Sequence, residues 1–323
     1  MYWQLTEDEA ILINAPAYIL QLLSESVLLL EEQPNSLNTI ISLDWNEELY
    51  LHHIEKYWDN SYNNEDNIYS EDKDGFFLVC KGFFLSYSKF NNIAHFYIEK
   101  EHAADYISYS YPLFKLLIYL LEQRGFIPLH AAVIGNDNGF VLIPGKQNSG
   151  KSTTSASWVL HGGKLLSDDT CFVNPMQPTK MHGYFPSIRL REQSLSLLKD
   201  IVKVDQLKQK NNSKYFYQLL NSFPQNFVPR AFIKAVFCIQ IKNGPPSHTV
   251  SDAQTAYKSL ASSFAFSIHH GASSSLCLQA IKRITTVLPV YLINLSSDPK
   301  ENYEYLQKLM DSISPIDSSI SEV

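Results

Sequence analysis

Between residues 111 and 175, one long apolar run is followed by several shorter ones, and turn residues separate them. Leu113–Gln123 is a strongly apolar run closed by Gly125, which predicts a helix. Short apolar runs follow at Ile127–Ile134, Phe140–Ile143 and Cys171–Val173. Their length and the absence of a helical period predict buried strands. Strands that alternate with helices indicate an α/β fold.

The same alternation continues to the end of the chain. The pattern predicts, in order, a strand at Ala235–Ile241, a helix capped by Ser251 or Asp252, a helix at Leu276–Thr286, a strand at Val290–Leu295 and a helix at Asn302–Ile313. Between these two regions, Tyr184–Arg191 is an apolar segment after Gly183, and Ser194–Asp200 is predicted to be helical. The lysine-rich stretch from Lys199 to Lys214 is interpreted as a mobile surface segment, with a lid over a site as the alternative.

Residues 1–110 have a different pattern, which predicts a smaller, strand-rich N-terminal domain. Apolar and aromatic runs at Phe76–Cys80, Phe83–Ser88 and His95–Ile98 predict strands. Asp59–Asp74 is polar and acidic, and it is interpreted as an exposed loop, either a solvated connection or a recognition loop. Tyr18–Leu30 fits a helix or a buried strand. We therefore predict two domains, 1–110 and 111–323.

Composition narrows the classes of function. The 323 residues are 45% hydrophobic and carry a net charge of −7, with a pI near 5.8. An acidic balance argues against a nucleic-acid partner, which would favour a basic surface. Because the sequence has no apolar stretch of 18 residues and no secretory pattern, we expect no membrane association and a cytoplasmic location. The four cysteines lack metal-ligand spacing, which predicts reduced, partly buried thiols.

A phosphate-binding motif stands at the centre of the chain. Gly145–Ser152 fits the Walker A pattern G-x-x-x-x-G-K-[ST], behind a strand and ahead of a helix that Gly162-Gly163 would end. The glycines let backbone N–H groups approach a phosphate, and the helix N-terminus adds the positive end of its dipole. The alternative is a glycine-rich turn without a ligand. The residues expected to bind a nucleotide are Gly145, Lys146, Gln147, Asn148, Ser149, Gly150, Lys151, Ser152 and Thr153.

Two adjacent carboxylates follow the next strand. Asp168 and Asp169 come directly after a short apolar run behind the loop's helix. A right-handed strand–helix–strand unit would place the ends of neighbouring parallel strands side by side, so both carboxylates would face Ser152. One would orient Mg²⁺ and the other would accept the proton of an attacking hydroxyl. The alternative is a turn whose aspartate caps a neighbouring element.

These motifs together resemble the catalytic domain of the HPr kinase/phosphorylase family. The segments that carry the resemblance are Leu129-His130-Ala131-Ala132-Val133, the phosphate loop and Leu166-Ser167-Asp168-Asp169. The resemblance spans about residues 111–323. It implies a P-loop kinase core of the HPr kinase and phosphoenolpyruvate carboxykinase type that uses ATP and Mg²⁺. It also implies that His130 lies near the phosphates, that Lys151, Asp168 and Asp169 are catalytic, and that Ser152 and the two aspartates hold the metal.

Arg189 is a weaker match to the family. It would either neutralise charge on the transferring phosphoryl group or form a structural ion pair. HPr kinases have a glutamate just before this arginine, whereas here Pro186-Ser187-Ile188 precede it. Glu192 is a substitute that the sequence offers. The departure weakens the expectation of HPr as a substrate and of the reverse phosphorylase reaction.

The shorter HPr-kinase-like enzymes of ribosomal peptide biosynthesis are a closer likeness. Among them, the lasso-peptide kinases phosphorylate a serine hydroxyl of a precursor peptide, and they also carry an N-terminal module. The resemblance therefore implies a kinase for a serine of a peptide or small protein, in peptide modification. A catalytically silent nucleotide-binding regulator or scaffold is the second hypothesis, and a small-metabolite kinase is the third. The N-terminal module would bind a leader peptide, support a homo-oligomer or cover the sheet edge.

Overall fold

The chain divides into two compact units, Met1–Leu120 and Leu121–Val323. The computed structural model describes residues 1–34, 39–57, 68–80, 82–103, 113–146, 148–198, 207–210, 214–269 and 273–314. The division falls inside helix α3, Phe114–Glu122, whereas the sequence placed a boundary at residues 110 and 111. Both units combine helices with β-sheet, so the chain is a mixed α/β protein with several sheets.

The first unit is built on an eight-stranded sheet of order β3-β1-β2-β4-β8-β7-β6-β5. Its elements are β1 Tyr2–Gln4, β2 Glu9–Asn14, α1 Ala17–Ser26, β3 Leu29–Leu30, β4 Thr39–Trp45, α2 Glu47–Tyr57, β5 Ile68–Asp72, β6 Gly75–Cys80, β7 Phe83–Ser88 and β8 Ile93–Ile98. The central strands β2, β4 and β8 are parallel, and the strands on either side of them are antiparallel.

The three strands predicted in this unit are confirmed as β6, β7 and β8. The ambiguous segment Tyr18–Leu30 forms α1 and then β3. The loop predicted at Asp59–Asp74 is wrong in its last part, because β5 pairs there with β6. Edge strands need only one partner and carry polar, exposed side chains, which is why this segment has a loop-like sequence. Residues 59–67 of the predicted loop lie outside the described residues.

The second unit begins within α3 and contains a longer series of elements. They are β9 Ile127–Leu129, β10 Ala131–Asn136, β11 Gly139–Pro144, α4 Lys151–Leu160, β12 Lys164–Ser167, β13 Cys171–Val173, β14 Lys180–His182, β15 Ser187–Arg191, α5 Glu192–Leu198, β16 Leu207–Lys210, β17 Lys214–Gln218, α6 Leu219–Ser222, β18 Arg230–Ile241, β19 Ser247–Val250, α7 Ala253–His269, α8 Ser274–Val287, β20 Val290–Leu295 and α9 Pro299–Ser312. The helices and strands predicted after residue 235 are confirmed, and Asp252 is the residue that caps α7, accepting from Thr255 N at 2.9 Å.

The sheet of the second unit is covered on both faces. Along β11, Phe140 and Leu142 join one hydrophobic core, and Val141 and Ile143 join the other. Helices α7 and α8 pack on the first face, and α4 and α9 pack on the second. This three-layer arrangement explains why β11 has an uninterrupted apolar sequence rather than an alternating one.

The long strand β18 connects the parts of this sheet. Its first residues pair with β14, its middle pairs with β11 in parallel, and its last residues pair with β20 in parallel. β14 continues through β13 to β9 at the edge. β18 therefore links β11, the strand that leads into the phosphate loop, to β14 and β20.

Two sequence expectations about strands are corrected. Ile127–Ile134 is not one strand, because His130 separates β9, which pairs with β13, from β10, which pairs with β11. The strands β11 and β12 are not neighbours either, since β10 lies between them and is antiparallel to both.

The lysine-rich segment also contains strands that the sequence did not indicate. β16 and β17 form an antiparallel pair, and β17 also pairs with β15 to complete a three-stranded sheet. The strands Leu207–Lys210 and Lys214–Gln218 were not predicted, and residues 199–206 and 211–213 of the segment lie outside the described residues. α5 confirms the helix predicted at Ser194 as far as Leu198.

The four cysteines are unlinked, with Cys171, Cys238 and Cys277 buried and Cys80 partly exposed. None of the helices in the described part of the chain has the length and apolar character that crossing a bilayer requires.

Candidate active site

The strand order brings three separate segments to one edge of the second unit's sheet. β10 runs opposite to both β11 and β12, so the ends of β11 and β12 lie beside the start of β10. Ala131 of β10 pairs with Pro144, and Val133 pairs with Ser167. The phosphate loop after Pro144, His130 before β10 and the two aspartates after Ser167 therefore meet at this edge.

The phosphate loop has the backbone conformations that its glycines permit. Gly145 and Gly150 have φ values of 149° and 98°, and Asn148 has φ of 67°. A Cβ at Gly145 would lie 3.0 Å from Ser149 Oγ, so the loop closes tightly at this point. Gly150 is the N-cap of α4 and contributes no side chain to cap the first N–H groups of the helix. The helix N-terminus thus opens toward whatever lies in the loop.

The lysine of the motif folds over its own loop. The Lys151 side chain is buried, and Nζ donates to Gly145 O at 2.7 Å and to Lys146 O at 3.0 Å. Both acceptors are backbone carbonyls of the loop, so the ammonium is held against the loop itself.

Asp169 lies between His130 and Arg189, and the three side chains are partly exposed to solvent. Its Oδ1 lies 3.2 Å from His130 Nδ1, and its Oδ2 lies 3.5 Å from Arg189 Nη1. The side chains of all three residues are about one-fifth exposed, at 21%, 20% and 19% for His130, Asp169 and Arg189. They are therefore anchored by one another and still accessible to a ligand.

Asp168 differs sharply from its neighbour, because its side chain is buried. Oδ2 accepts from Arg189 N at 3.0 Å. Its pKa is raised to about 6, chiefly by burial, while the Arg189 N–H lowers it, the nearby Asp169 charge raises it and the hydroxyls of Ser152 and Ser155 lower it. Within the described residues, Oδ1 is buried and makes no hydrogen bond of normal length. This oxygen is thus suited to a ligand that the protein itself does not provide.

A cleft of about 540 Å³ connects these groups. It is lined by His130, Asn148, Ser149, Gly150, Lys151, Ser152, Thr153, Asp169, Arg189, Arg191 and Ser194. Most of the residues expected to bind a nucleotide or to act in catalysis therefore share one cleft. Asp168 lies buried beside it, and Gly145 contributes backbone contacts. The side chain of Lys146 is exposed and does not line the cleft, and Gln147 lies outside the described residues.

Three residues at this site were missed in the sequence. Arg191 is two residues beyond Arg189 on β15, so the period of a strand was the signal that could have found it. Ser194 meets Thr153, with 2.8 Å between their hydroxyl oxygens. Ser263 of α7 accepts from Gly145 N at 3.0 Å through its hydroxyl, and its carbonyl accepts from His130 N at 3.4 Å. No local pattern marks Ser263, because its partners are more than 100 residues away.

Glu192, the substitute considered for the glutamate of HPr kinases, does not reach the cleft. It begins α5 with an exposed side chain and is not among the residues that line the cleft.

Comparison with known proteins adds little to this geometry. No protein-family model matches the chain, and no curated protein matches it. A solved structure, the HPr(Ser) kinase/phosphatase from Coxiella burnetii, is similar over 56% of this chain and 96% of that chain, with 14% identity and a TM-score of 0.26. Because a TM-score this low does not establish a common fold, the function has to be inferred from the site itself.

Proposed function

We propose that this protein is an ATP-dependent phosphotransferase that transfers the γ-phosphoryl group to a hydroxyl. One observation carries the proposal: the phosphate loop, the Asp169 carboxylate and the side chains of His130 and Arg189 share a single cleft, and the buried carboxyl group of Asp168 lies beside it. A phosphate-binding loop alone would indicate only that a nucleotide is bound. Carboxylates beside it provide a proton acceptor and oxygen ligands, which phosphoryl transfer to a hydroxyl needs.

The loop and Lys151 would hold the phosphates. Lys151 Nζ donates to two loop carbonyls. The β- and γ-phosphate oxygens of a bound nucleotide would offer the same ammonium charged acceptors. The N-terminus of α4 adds backbone N–H groups and the positive end of the helix dipole. Arg189 would place positive charge against the transferring group while it keeps Asp169 in position, so the two roles considered for it are compatible.

The two aspartates would have different roles because their surroundings differ. Asp169 lines the cleft and is oriented by His130 and Arg189, so we assign it as the base. It would accept the proton of the acceptor hydroxyl. The hydroxyl oxygen then forms a bond to the γ-phosphorus, while the bond from that phosphorus to ADP breaks and ADP leaves with the bonding electrons.

Asp168 and Ser152 fit a magnesium ion. Both offer oxygen donors, which Mg²⁺ prefers, and the buried Asp168 Oδ1 makes no hydrogen bond of normal length in the described part of the chain. When bound, Mg²⁺ would supply charge neutralisation between the β- and γ-phosphates. Asp168, fixed by Arg189 N, would orient that ion rather than take a proton.

The acceptor class rests on the resemblance of the sequence motifs to the peptide-modifying HPr-kinase-like enzymes. On that basis we propose a serine hydroxyl of a peptide or small protein. The role of residues 1–110 as a domain for substrate recognition is part of the same proposal.

The test is transfer of labelled γ-phosphate from ATP to a panel of serine-containing peptides and small proteins, with Mg²⁺ present. Asp169→Asn should lower the transfer rate about 10²- to 10⁴-fold, because a general base contributes that much. Asp168→Asn should raise the Mg²⁺ concentration required, and Lys151→Ala should weaken ATP binding.

Asp137→Asn is the matched control. Asp137 lies in the turn between β10 and β11, and its side chain is 88% exposed, so this variant should transfer phosphate like the native protein. Full transfer by both Asp168→Asn and Asp169→Asn would show that the assigned roles are wrong.

A nucleotide-binding regulator without transfer activity is the second candidate. The position of Glu192 favours it, since the metal-binding glutamate of HPr kinases has no substitute there. Tight ATP binding without ADP production across the whole acceptor panel would support the regulator and contradict the kinase.

A further inference from the structure

A second pocket adjoins the phosphate cleft on the flank of α4. Its volume is about 680 Å³, and it shares Asn148, Gly150 and Thr153 with the cleft. Thr153, Thr154, Ser157 and Trp158 line it from α4. Residues at this spacing lie on one face of a helix, so the pocket runs from the helix N-terminus along its side. The pocket therefore directly adjoins the place where phosphates would lie in the loop.

The surface of this pocket is mainly apolar, and two of its walls are unusually exposed. Leu197 of α5 and Ile241 at the end of β18 are 52% and 54% exposed, although both are large aliphatic side chains. Gly150 brings the loop close to Ile241, since a Cβ at Gly150 would lie 3.2 Å from Ile241 Cδ1. Exposed apolar side chains that flank a pocket are stabilised when an apolar group of a ligand covers them.

Several polar side chains of the pocket form hydrogen bonds within the protein. Ser157 Oγ donates to Pro299 O at 2.9 Å, and Trp158 Nε1 donates to Gly135 O at 2.7 Å. Asn302 accepts from Ser296 N at 2.8 Å and donates to Ser296 O at 2.9 Å. These groups stabilise the walls. A ligand that enters the pocket therefore meets mostly apolar contact rather than a fixed pattern of donors and acceptors.

We infer that this pocket holds the nucleoside part of the phosphate donor and discriminates little between purine bases. The inference rests on the proposed function, because it assumes that a nucleotide occupies the phosphate loop. Strong selection between adenine and guanine requires hydrogen bonds to their exocyclic groups. Apolar packing against Leu197 and Ile241 would stabilise both bases similarly.

The experiment compares the binding of MgATP, MgGTP and magnesium tripolyphosphate to the full chain by isothermal titration calorimetry. Native protein should bind ATP and GTP with affinities within about tenfold of each other, and both more tightly than tripolyphosphate. Leu197→Ser and Ile241→Ser should each weaken ATP and GTP about tenfold, because apolar contact is lost, and leave tripolyphosphate binding unchanged.

Leu278→Ser is the matched control, because Leu278 is 53% exposed on α8, outside the pocket. It should bind all three ligands like the native protein. The two pocket variants replace exposed residues, and their melting temperatures should match that of Leu278→Ser.

The outcomes separate the two proposals. If native protein binds none of the three ligands, both the proposed function and the nucleoside pocket are wrong. If tripolyphosphate and ATP bind with equal affinity, the phosphate site stands and the nucleoside pocket is wrong. The same conclusion follows if the pocket variants weaken the binding of ATP and of tripolyphosphate equally. If ATP binds more than about 100-fold tighter than GTP, base discrimination is strong and the inferred tolerance is wrong.

Discussion

Asp168 is a residue whose buried carboxylate lowers the stability of the protein at neutral pH and is proposed to hold Mg²⁺. Its carboxyl group is buried, and burial raises its pKa from 3.8 to about 6. An acid whose pKa is higher in the folded state stabilises the fold only while it is protonated. That stabilisation is complete below pH 3.8 and is lost as the pH rises through about 6. At neutral pH the ionised group therefore destabilises the protein by about 3 kcal/mol.

We predict that Asp168→Asn stabilises the protein at pH 8 and much less at pH 4. The amide can still accept from Arg189 N, and it carries no buried charge. Urea unfolding in metal-free buffer should show the gain rising between pH 4 and pH 7 and reaching up to about 3 kcal/mol. Asp137→Asn, at an exposed position, should show no such trend. A gain that is independent of pH would contradict the raised pKa.

Some residues of the candidate site could be predicted from the sequence and others could not, for a physical reason. The loop residues, His130 and Asp169 could be marked as candidates from local sequence motifs, and most of them line one cleft in the structure. Ser263 could not, since it contacts Gly145 and His130 only after α7 has packed beside them. The different burial of Asp168 and Asp169 was also beyond the sequence, because both directly follow β12 and only packing distinguishes them.

At the scale of elements, Lys234 joins three parts of the second unit. It lies on β18 and is 4% exposed. Nζ donates to Asn138 O at 3.0 Å and to two carbonyls at the end of α9, Met310 O at 2.6 Å and Ile313 O at 3.3 Å. The last carbonyls of a helix lack partners within it, so this ammonium acts as a cap supplied by another element.

Lys234→Met should lower the free energy of unfolding by about 1–3 kcal/mol, because buried carbonyls lose their donor. The measurement is urea unfolding at pH 7. Lys308→Met is the control, since Lys308 is exposed on the same helix. If both variants unfold at the same urea concentration as the native protein, the cap contributes nothing to stability.

The sequence pattern predicted the type of most elements and failed on how they are paired. Apolar runs such as Phe140–Ile143 show that a strand is buried on both faces, but they carry no information about which strand lies next to it. The insertion of β10 between β11 and β12 was missed for that reason. The ends of β11 and β12 nevertheless lie at one edge of the sheet, because two strands antiparallel to a third end at the same edge.

At the scale of the molecule, each unit has its own hydrophobic core. One core is centred on Tyr50, Val79 and Phe84 in the first unit, and two cores cover the faces of the second unit's sheet. The proposed nucleotide site lies wholly within Leu121–Val323. Binding there should therefore stabilise one unit.

We predict two transitions in differential scanning calorimetry of the full chain. MgATP at about 100 times its dissociation constant should add about 2.7 kcal/mol to the second unit and raise only that transition. Lys234→Met should lower the same transition. A single transition that ATP shifts as a whole would show that the two units unfold together.

Strand β18 also determines when, during synthesis of the chain, β11 obtains its parallel partner. It supplies the parallel partner of β11, yet about 100 residues separate Gly139 from Ile241 along the chain. At about 5–20 residues per second, the ribosome needs about 5–20 s to make that stretch. During this interval the phosphate loop already exists, but one edge of its strand lacks its partner. We expect a nascent chain to acquire the ability to hold a nucleotide only once β18 has emerged and paired.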